Sequence, residues 1–232
     1  MRDFTRREFV QAGAVVAGVA ASLLVPGGRS LSVGKANAGG VDFAESSCNS
    51  KDKAGKRILV AYASRCGTTG GVAEAIGRTL CDAGFEVDTR LVKHVEDVSK
   101  YSAVVLGSAV NRASWLSDAI EFAEKNREAL KGMPVAYFLT CLALYEDTIE
   151  SRKLAQSYME PVLKAVPEVR PVDSGLFAGV LDYSKMNVLY RMVMKSKMKE
   201  KGVPEGDHRN WNAITSWAKG LIVPFGKLKV TS

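Results

Sequence analysis

A short segment of the chain combines hydroxyl side chains, glycine and arginine in a pattern that suits a phosphate group. Residues 64–70 read Ser-Arg-Cys-Gly-Thr-Thr-Gly and directly follow an apolar run. A phosphate at a strand-to-helix turn meets unpaired backbone N–H groups and the positive end of the helix. The residues predicted to bind it are Ser64, Arg65, Cys66, Gly67, Thr68 and Thr69. The alternative is a hydroxyl-rich helix cap that binds no ligand.

The same segment argues against two other kinds of nucleotide site. It lacks the lysine of a Walker P-loop, which argues against ATP. It also lacks the three spaced glycines of a dinucleotide-binding fingerprint. The chemistry it predicts is therefore that of a phosphate monoester held by backbone amides at a bend of the chain.

Apolar runs and amphipathic segments alternate along the chain around this loop. Strands are predicted over 57–64, 86–92, 103–110, 134–143 and 172–180. Helices are predicted over 69–83, 117–130, 149–165 and 210–222. Gly84 is expected to end the first helix with a positive φ angle. The alternation predicts an α/β fold with a parallel sheet and right-handed crossovers.

The loop at 64–70 resembles the phosphate loop of flavodoxins, whose pattern is Thr/Ser-x-Thr-Gly-x-Thr. The resemblance implies a doubly wound five-stranded sheet of order 2-1-3-4-5, with FMN bound at the carboxyl ends of the strands. It also implies that the loops after the third and fourth strands contact the isoalloxazine ring. The residues of these loops are Ser108, Ala109, Val110, Asn111, Arg112, Trp115, Thr140, Cys141, Leu142 and Ala143. Cys66 departs from the pattern, which usually has a hydroxyl residue there.

Some residues near these loops have two interpretations. Trp115 either covers the flavin or packs in the core, and His208 either approaches the flavin or lies on the surface, as His94 is expected to do. Tyr145 offers one aromatic ring, but the acidic rim of short-chain flavodoxins is absent, which argues against a plain soluble electron shuttle. No Cys/His spacing indicates a metal site.

Downstream segments resemble the menaquinone-dependent protoporphyrinogen dehydrogenases. The features are a Phe-Ala-Gly run at 177–179, a basic, Met-rich stretch over 184–201, Gly-Asp-His-Arg at 206–209 and a final Trp-containing helix. This resemblance implies an FMN-dependent oxidoreductase that passes electrons from a reduced donor to a quinone or a redox partner protein. The alternatives are a non-catalytic electron-transfer flavodoxin, protoporphyrinogen dehydrogenase itself, and a non-redox binding module.

The insertion, at about 182–209, contains the basic amphipathic stretch 184–201. Such a helix suits an anionic membrane surface, which predicts a peripheral membrane contact. Two other interpretations stay open. The helix either forms a lid over the flavin, with adaptable Met side chains, or packs on its own domain with its basic face in solvent.

Residues 1–38 resemble a twin-arginine export signal. Thr-Arg-Arg-Glu-Phe-Val at 5–10 precedes an apolar run at 12–25, and Ala-Asn-Ala at 36–38 suits cleavage. The run is shorter than the roughly 20 residues of a bilayer span. We expect an exported, periplasmic protein that has lost this segment, with an uncleaved anchor and a cytoplasmic protein as alternatives. Residues 39–56 are predicted to form a linker, and 224–232 a tail.

Charge and cysteine content add weaker constraints. The chain has a net charge of +7, and residues 39–232 have 27 Lys/Arg against 23 Asp/Glu, which does not indicate nucleic-acid binding. The oligomeric state is left open. The four cysteines, Cys48, Cys66, Cys81 and Cys141, form no C-x-x-C motif. Cys81 and Cys141 are predicted to be buried small apolar residues and Cys48 to be exposed, with a disulfide as the alternative in an exported protein.

Overall fold

The computed structural model describes residues 42–49 and 56–226. The predicted export signal lies outside the described residues, as do most of the predicted linker and residues 227–232. The described strands are β1 Ser46–Cys48, β2 Arg57–Ala63, β3 Glu86–Leu91, β4 Ala103–Asn111, β5 Ser114–Trp115, β6 Val135–Cys141, β7 Ser174–Ala178, β8 Val180–Leu181 and β9 Gly206–Asp207. The α-helices are α1 Thr68–Asp82, α2 Ser117–Lys125, α3 Arg127–Lys131, α4 Ile149–Ser157, α5 Glu160–Ala165, α6 Val188–Glu200, α7 Trp211–Gly220 and α8 Ile222–Gly226.

Five parallel strands form the body of the main sheet, in the order β3-β2-β4-β6-β7. Numbered among themselves, these strands have the order 2-1-3-4-5, which confirms the predicted fold class. Because the winding direction reverses between β2 and β4, the carboxyl ends of these strands form the crevice where such sheets bind ligands. The short strands β8 and β9 form a separate antiparallel pair at the base of the insertion.

Side chains of β2 alternate between two buried layers. Leu59 and Ala61 belong to a cluster that includes Phe122 of α2. On the opposite face, Val60 belongs to a cluster that includes Ile76 of α1 and buried residues of α7. Since both faces of the central strand are covered by helices, the near-continuous apolar run of this strand is explained.

Two predicted helices are each divided in the structure. The segment predicted as one helix over 149–165 forms α4 and α5, with Pro161 in the first turn of α5. Proline cannot donate the backbone hydrogen bond that would continue α4, so a new helix begins there. The segment predicted over 117–130 divides at Asn126, which caps both α2 and α3 in a non-helical conformation. Residues 224–226, predicted as tail, belong to α8.

The prediction of a linker over 39–56 is wrong for residues 46–48, because β1 pairs antiparallel with the edge strand β3. A polar strand can occupy such an edge, where half of its side chains face solvent. Ser47 Oγ donates to Asp88 Oδ1 at 2.6 Å, and Arg90 Nη1 donates to the Ser46 carbonyl at 2.6 Å. Burial raises the pKa of Asp88, but hydrogen bonds from Ser47 and Tyr101 and the nearby guanidinium groups outweigh it and lower this pKa overall.

A disulfide joins Cys48 of β1 to Cys81 near the end of α1. The prediction that Cys81 is a buried apolar residue is therefore wrong: it is only partly buried and is covalently paired. The pairing depends on β1 adding to the sheet, a long-range contact with no local sequence signal. Cys141 is buried and free, as predicted, and Cys66 is a free, partly buried thiol. Within the described ranges, no helix is long and apolar enough to cross a membrane.

Candidate functional site

The phosphate-type loop lies at the carboxyl end of β2, where α1 begins. Gly67 has φ = 75°, a left-handed conformation that glycine adopts without steric cost, and Thr68 is the first helical residue. The Gly70 N–H donates to the Gly67 carbonyl at 2.9 Å. No side chain caps the helix, and its first turn has no acidic residue. The first-turn amides of Thr68 and Thr69 therefore remain available to bind an anion.

Two hydroxyl groups of this loop have different roles. Ser64 Oγ is buried and has no hydrogen-bond partner among the described residues, which is costly unless a ligand or solvent supplies one. Thr69 is buried, and its hydroxyl is hydrogen-bonded to Thr140 Oγ1 at 2.8 Å. Thr69 thus connects the loop to the end of β6 and does not point its hydroxyl group into the adjacent cavity.

A single cavity brings together most of the residues predicted from the three loops. Its lining includes ten of them: Ser64, Arg65, Cys66, Thr68, Ala109, Val110, Asn111, Thr140, Cys141 and Leu142. Gly67, Thr69, Ser108, Arg112, Trp115 and Ala143 do not line it. The three loops meet because they follow neighbouring strands, β2, β4 and β6, whose carboxyl ends share one edge of the sheet.

The loop after β4 is fixed by a tight hairpin. Arg112 and Ala113 both have positive φ angles, 52° and 60°, and connect β4 to β5 as a two-residue turn. Arg112 is exposed and outside the cavity. Ser108 is buried, and its hydroxyl accepts the Leu116 N–H at 3.0 Å and donates to the carbonyl of the next residue. Ser108 therefore shapes the loop, and Leu116, which the sequence analysis missed, lines the cavity.

The structure places Trp115 in the core. Its side chain is only 3% exposed, and its ring meets that of Tyr137 edge to face at 5.4 Å between centroids. Trp115 therefore packs in the core and does not cover the cavity. Tyr190 of the insertion supplies an aromatic side chain to the cavity lining. Tyr145 and His208 pack edge to face at 5.8 Å, and neither lines the cavity.

The insertion supplies one wall of the cavity, formed by residues outside the three predicted loops. The additional lining residues are Gly179, Val180, Asp182, Met186, Tyr190 and Met194. Met186, Tyr190, Met194 and Met198 recur every four residues. The last three belong to α6, and Met198 is buried. This i, i+4 spacing of large adaptable side chains was the sequence signal that could have identified the wall.

Two thiols in the cavity are in their neutral form at neutral pH. Burial raises the pKa of Cys66, although Arg65 and Lys185 partly oppose it. Burial also raises the pKa of Cys141, to about 11, against hydrogen bonds from nearby backbone. Because the thiolate is the nucleophilic and metal-binding form, neither environment activates a cysteine. Among the described residues, no group of three or more His, Cys, Asp or Glu side chains is arranged to hold a metal ion.

Arg209 connects the end of the insertion to the phosphate-type loop. Its guanidinium group pairs with Asp207 through two N–H donors, at 2.6 and 2.8 Å, and Nη1 donates to the Thr68 carbonyl at 3.1 Å. The group also stacks on the Trp211 ring at 4.3 Å. Because the Arg209 guanidinium group bonds both Asp207 of β9 and the Thr68 carbonyl, it positions the start of α1 relative to β9.

Comparisons with known proteins agree with this architecture. The sequence profile of the flavodoxin domain family matches residues 59–207, so the chain belongs to that family. No curated protein sequence matches the chain.

Several solved structures are similar in fold at low identity. A short-chain flavodoxin associated with a bacterial microcompartment is 11% identical, with 72% of this chain and 97% of that chain aligned and a TM-score of 0.47. An oxidoreductase from Corynebacterium diphtheriae is 15% identical, with 76% and 100% aligned and a TM-score of 0.46. A flavoprotein from Lactobacillus acidophilus, solved in complex with FMN, is 13% identical, with 53% and 93% aligned and a TM-score of 0.38.

Proposed function

We propose that the cavity binds FMN and that the protein is an electron-transfer flavoprotein. The observation that carries this proposal is the uncapped start of α1, where Gly67 turns the chain and the buried Ser64 hydroxyl has no partner in the part of the chain that the structure describes. A phosphate monoester would satisfy the free amides and this hydroxyl together. Family membership supports the same ligand. Bound FMN would supply the redox chemistry, and the protein would bind it and tune its potential.

The residues present fit the two ends of FMN. The loop 64–68 would hold the phosphate, with Arg65 adding positive charge. The isoalloxazine ring would lie among Val110, Asn111 and Leu142, which line the cavity beside the loop 64–68. The Met and Tyr side chains of the insertion would exclude water from the ring, since they form the remaining wall.

We infer further that the flavin passes electrons between a reduced donor and a quinone or a redox partner protein. The cavity wall next to the proposed ring site is apolar and Met-rich, and Asp182 is the one carboxylate among its lining residues. Such a wall suits a flat, apolar acceptor better than a charged one. The second candidate is the protoporphyrinogen dehydrogenase reaction, because adaptable Met side chains also suit a large, mostly apolar tetrapyrrole.

Export through the twin-arginine route is part of this proposal. The pairing of Cys48 with Cys81 supports it, because structural disulfides persist in oxidising compartments and are rare in the cytosol. A protein loaded with a non-covalent cofactor before transport needs a route that carries folded proteins, which suits the twin-arginine route. Recovery of the protein from the periplasmic fraction, with the first 38 residues removed, is the expected outcome of fractionation.

The test of FMN binding uses two glycines at opposite ends of α1. Gly67 and Gly84 both have positive φ angles, 75° and 95°, so alanine strains the backbone at either position by about 1–2 kcal/mol. We expect the exported protein to be yellow and to bind one FMN, and G67A to bind FMN at least tenfold more weakly. G84A, which is remote from the cavity, is the matched control and should keep its affinity. A colourless protein that takes up no FMN would contradict the proposal.

A second assay separates the acceptors. Reoxidation of the reduced flavoprotein by a soluble quinone would support quinone turnover. If only a partner protein reoxidised the flavoprotein, the protein would be an electron-transfer protein that does not turn over quinones. Oxidation of protoporphyrinogen would favour the second candidate.

A further inference from the structure

The helix α6 has two apolar faces, and one of them lies on the outside of the protein. On the inner face, Tyr190 and Met194 line the cavity and Met198 is buried. These three side chains face the domain, whereas Val188, Leu189, Met192 and Val193 belong to none of its buried clusters. The outer face is therefore not needed for packing against the domain.

Four large apolar side chains form the outer face of the first two turns of α6. Their exposed fractions are 72% for Val188, 76% for Leu189, 66% for Met192 and 46% for Val193. Positions i, i+1, i+4 and i+5 lie side by side on a helix, so the four side chains form one contiguous patch. Other exposed large apolar side chains of the described residues are distributed over several elements. A contiguous apolar patch of this kind marks an interaction surface.

The helix α6 and its flanks are strongly basic. Residues 183–201 contain six Lys/Arg and one Glu, a net charge of +5. Lys195, Lys197 and Lys199 are exposed, and within the described part of the chain none of them forms an ion pair. The charge of this surface is therefore not neutralised by the domain itself.

We propose that the outer face of α6 docks on an anionic lipid bilayer, with the apolar patch in the headgroup boundary and the lysines on the lipid phosphates. An apolar patch that continues into a lysine-rich surface is the pattern of interfacial helices. A symmetric contact with a second copy would bring two +5 surfaces together and is disfavoured by repulsion. The helix of 13 residues is about 20 Å long, enough to lie along the surface but too short to span it.

Docking in this orientation places the cavity next to the membrane. Tyr190 and Met194 line the cavity from the opposite side of the same helix, so one helix separates the cavity from the lipid. A lipid-soluble acceptor would then reach the cavity without crossing bulk water. This last consequence rests on the proposed function, whereas lipid binding itself does not require a bound flavin.

The test measures sedimentation of the protein with lipid vesicles. Protein recovered from the exported fraction is mixed with one of two kinds of vesicle. One kind is phosphatidylcholine alone, and the other is an equal mixture of phosphatidylcholine and anionic phosphatidylglycerol. We expect binding to the anionic vesicles that weakens as salt is added. The charge variant K195Q/K197Q/K199Q should bind roughly 100-fold more weakly, because each basic side chain near an anionic surface contributes about fivefold. The matched control K125Q/K131Q/K153Q removes the same charge from other helices and should bind like wild type.

A second pair of variants tests the apolar patch. L189E/M192E should lose at least about tenfold in vesicle affinity, whereas I149E/L154E, which alters exposed apolar side chains of α4, should not. Absence of binding to anionic vesicles, or equal binding to both lipid compositions, would overturn the proposal. So would equal losses in the control variants, or a dimer in solution that L189E/M192E dissociates. Because FMN binding is measured separately, failure here leaves the proposed function standing.

Discussion

The disulfide between Cys48 and Cys81 is expected to contribute about 4 kcal/mol to the free energy of unfolding. The two cysteines are 33 residues apart in sequence, and closing a loop of that length removes about 4 kcal/mol of chain entropy from the unfolded state at 25 °C. The double variant C48A/C81A should therefore unfold at a temperature lower by about 10 °C, given the usual scaling for a domain of this size.

The fold of the variant should nevertheless persist, because the buried clusters on both faces of the sheet contain neither cysteine, and Cys81 only packs against the outside of one of them. The β1 strand contributes only three residue pairs to the sheet, and side-chain hydrogen bonds join it to Asp88 and Arg90 of β3. Loss of the disulfide is thus expected to release residues 42–49 before the domain unfolds.

Urea unfolding followed by circular dichroism measures this effect. Wild-type protein is compared with and without reductant, and C48A/C81A serves as the control whose midpoint should not respond to reductant. Reduced wild type should match the variant. If oxidised and reduced wild type unfolded at the same urea concentration, the disulfide would have no stabilising role and the reasoning would be refuted.

Three further changes have expected outcomes that follow from single contacts. D88N should lose less stability than wild type as the pH falls below about 4. A carboxylate whose pKa is lowered by folding stabilises the protein above its unfolded pKa, and this stabilisation is lost as the pH falls through the folded pKa. If the urea midpoints of wild type and D88N fell equally with pH, the prediction would be contradicted. G107A should destabilise the domain by about 1–3 kcal/mol, since an added Cβ would overlap the buried Phe138 ring, and a wild-type melting temperature would refute the packing argument. T140V should cost about 1–3 kcal/mol by leaving the Thr69 hydroxyl unpaired, whereas T69V/T140V should cost less; the opposite ranking in urea would contradict the assignment of that buried pair.

The local part of the site was predictable from sequence because it depends on local backbone chemistry. Gly67 and Gly84 were expected at turns, and both have the positive φ angles that glycine tolerates. The loops after β2, β4 and β6 were expected to meet, since parallel neighbouring strands end at one edge. Ten residues of those loops line the cavity accordingly.

The parts that were missed depend on long-range packing. Nothing in the sequence around Cys48 indicated that β1 would add to β3 and bring its thiol to Cys81. For Trp115, a position over the ligand and a position in the core were equally consistent with its place in the sequence. Only the contact with Tyr137 decides between them. The wall formed by α6 required knowing which face of the helix turns inward.

The central claim is that the amides at the start of α1 bind the phosphate of FMN. The most direct measurement is the affinity for FMN compared with that for riboflavin, which lacks the phosphate, by fluorescence titration of the apoprotein. Two hydrogen bonds to a charged phosphate contribute about 1.5–3 kcal/mol each, so FMN should bind at least about 100-fold more tightly. Equal affinities for the two flavins would contradict the claim, because the loop would then play no part in binding.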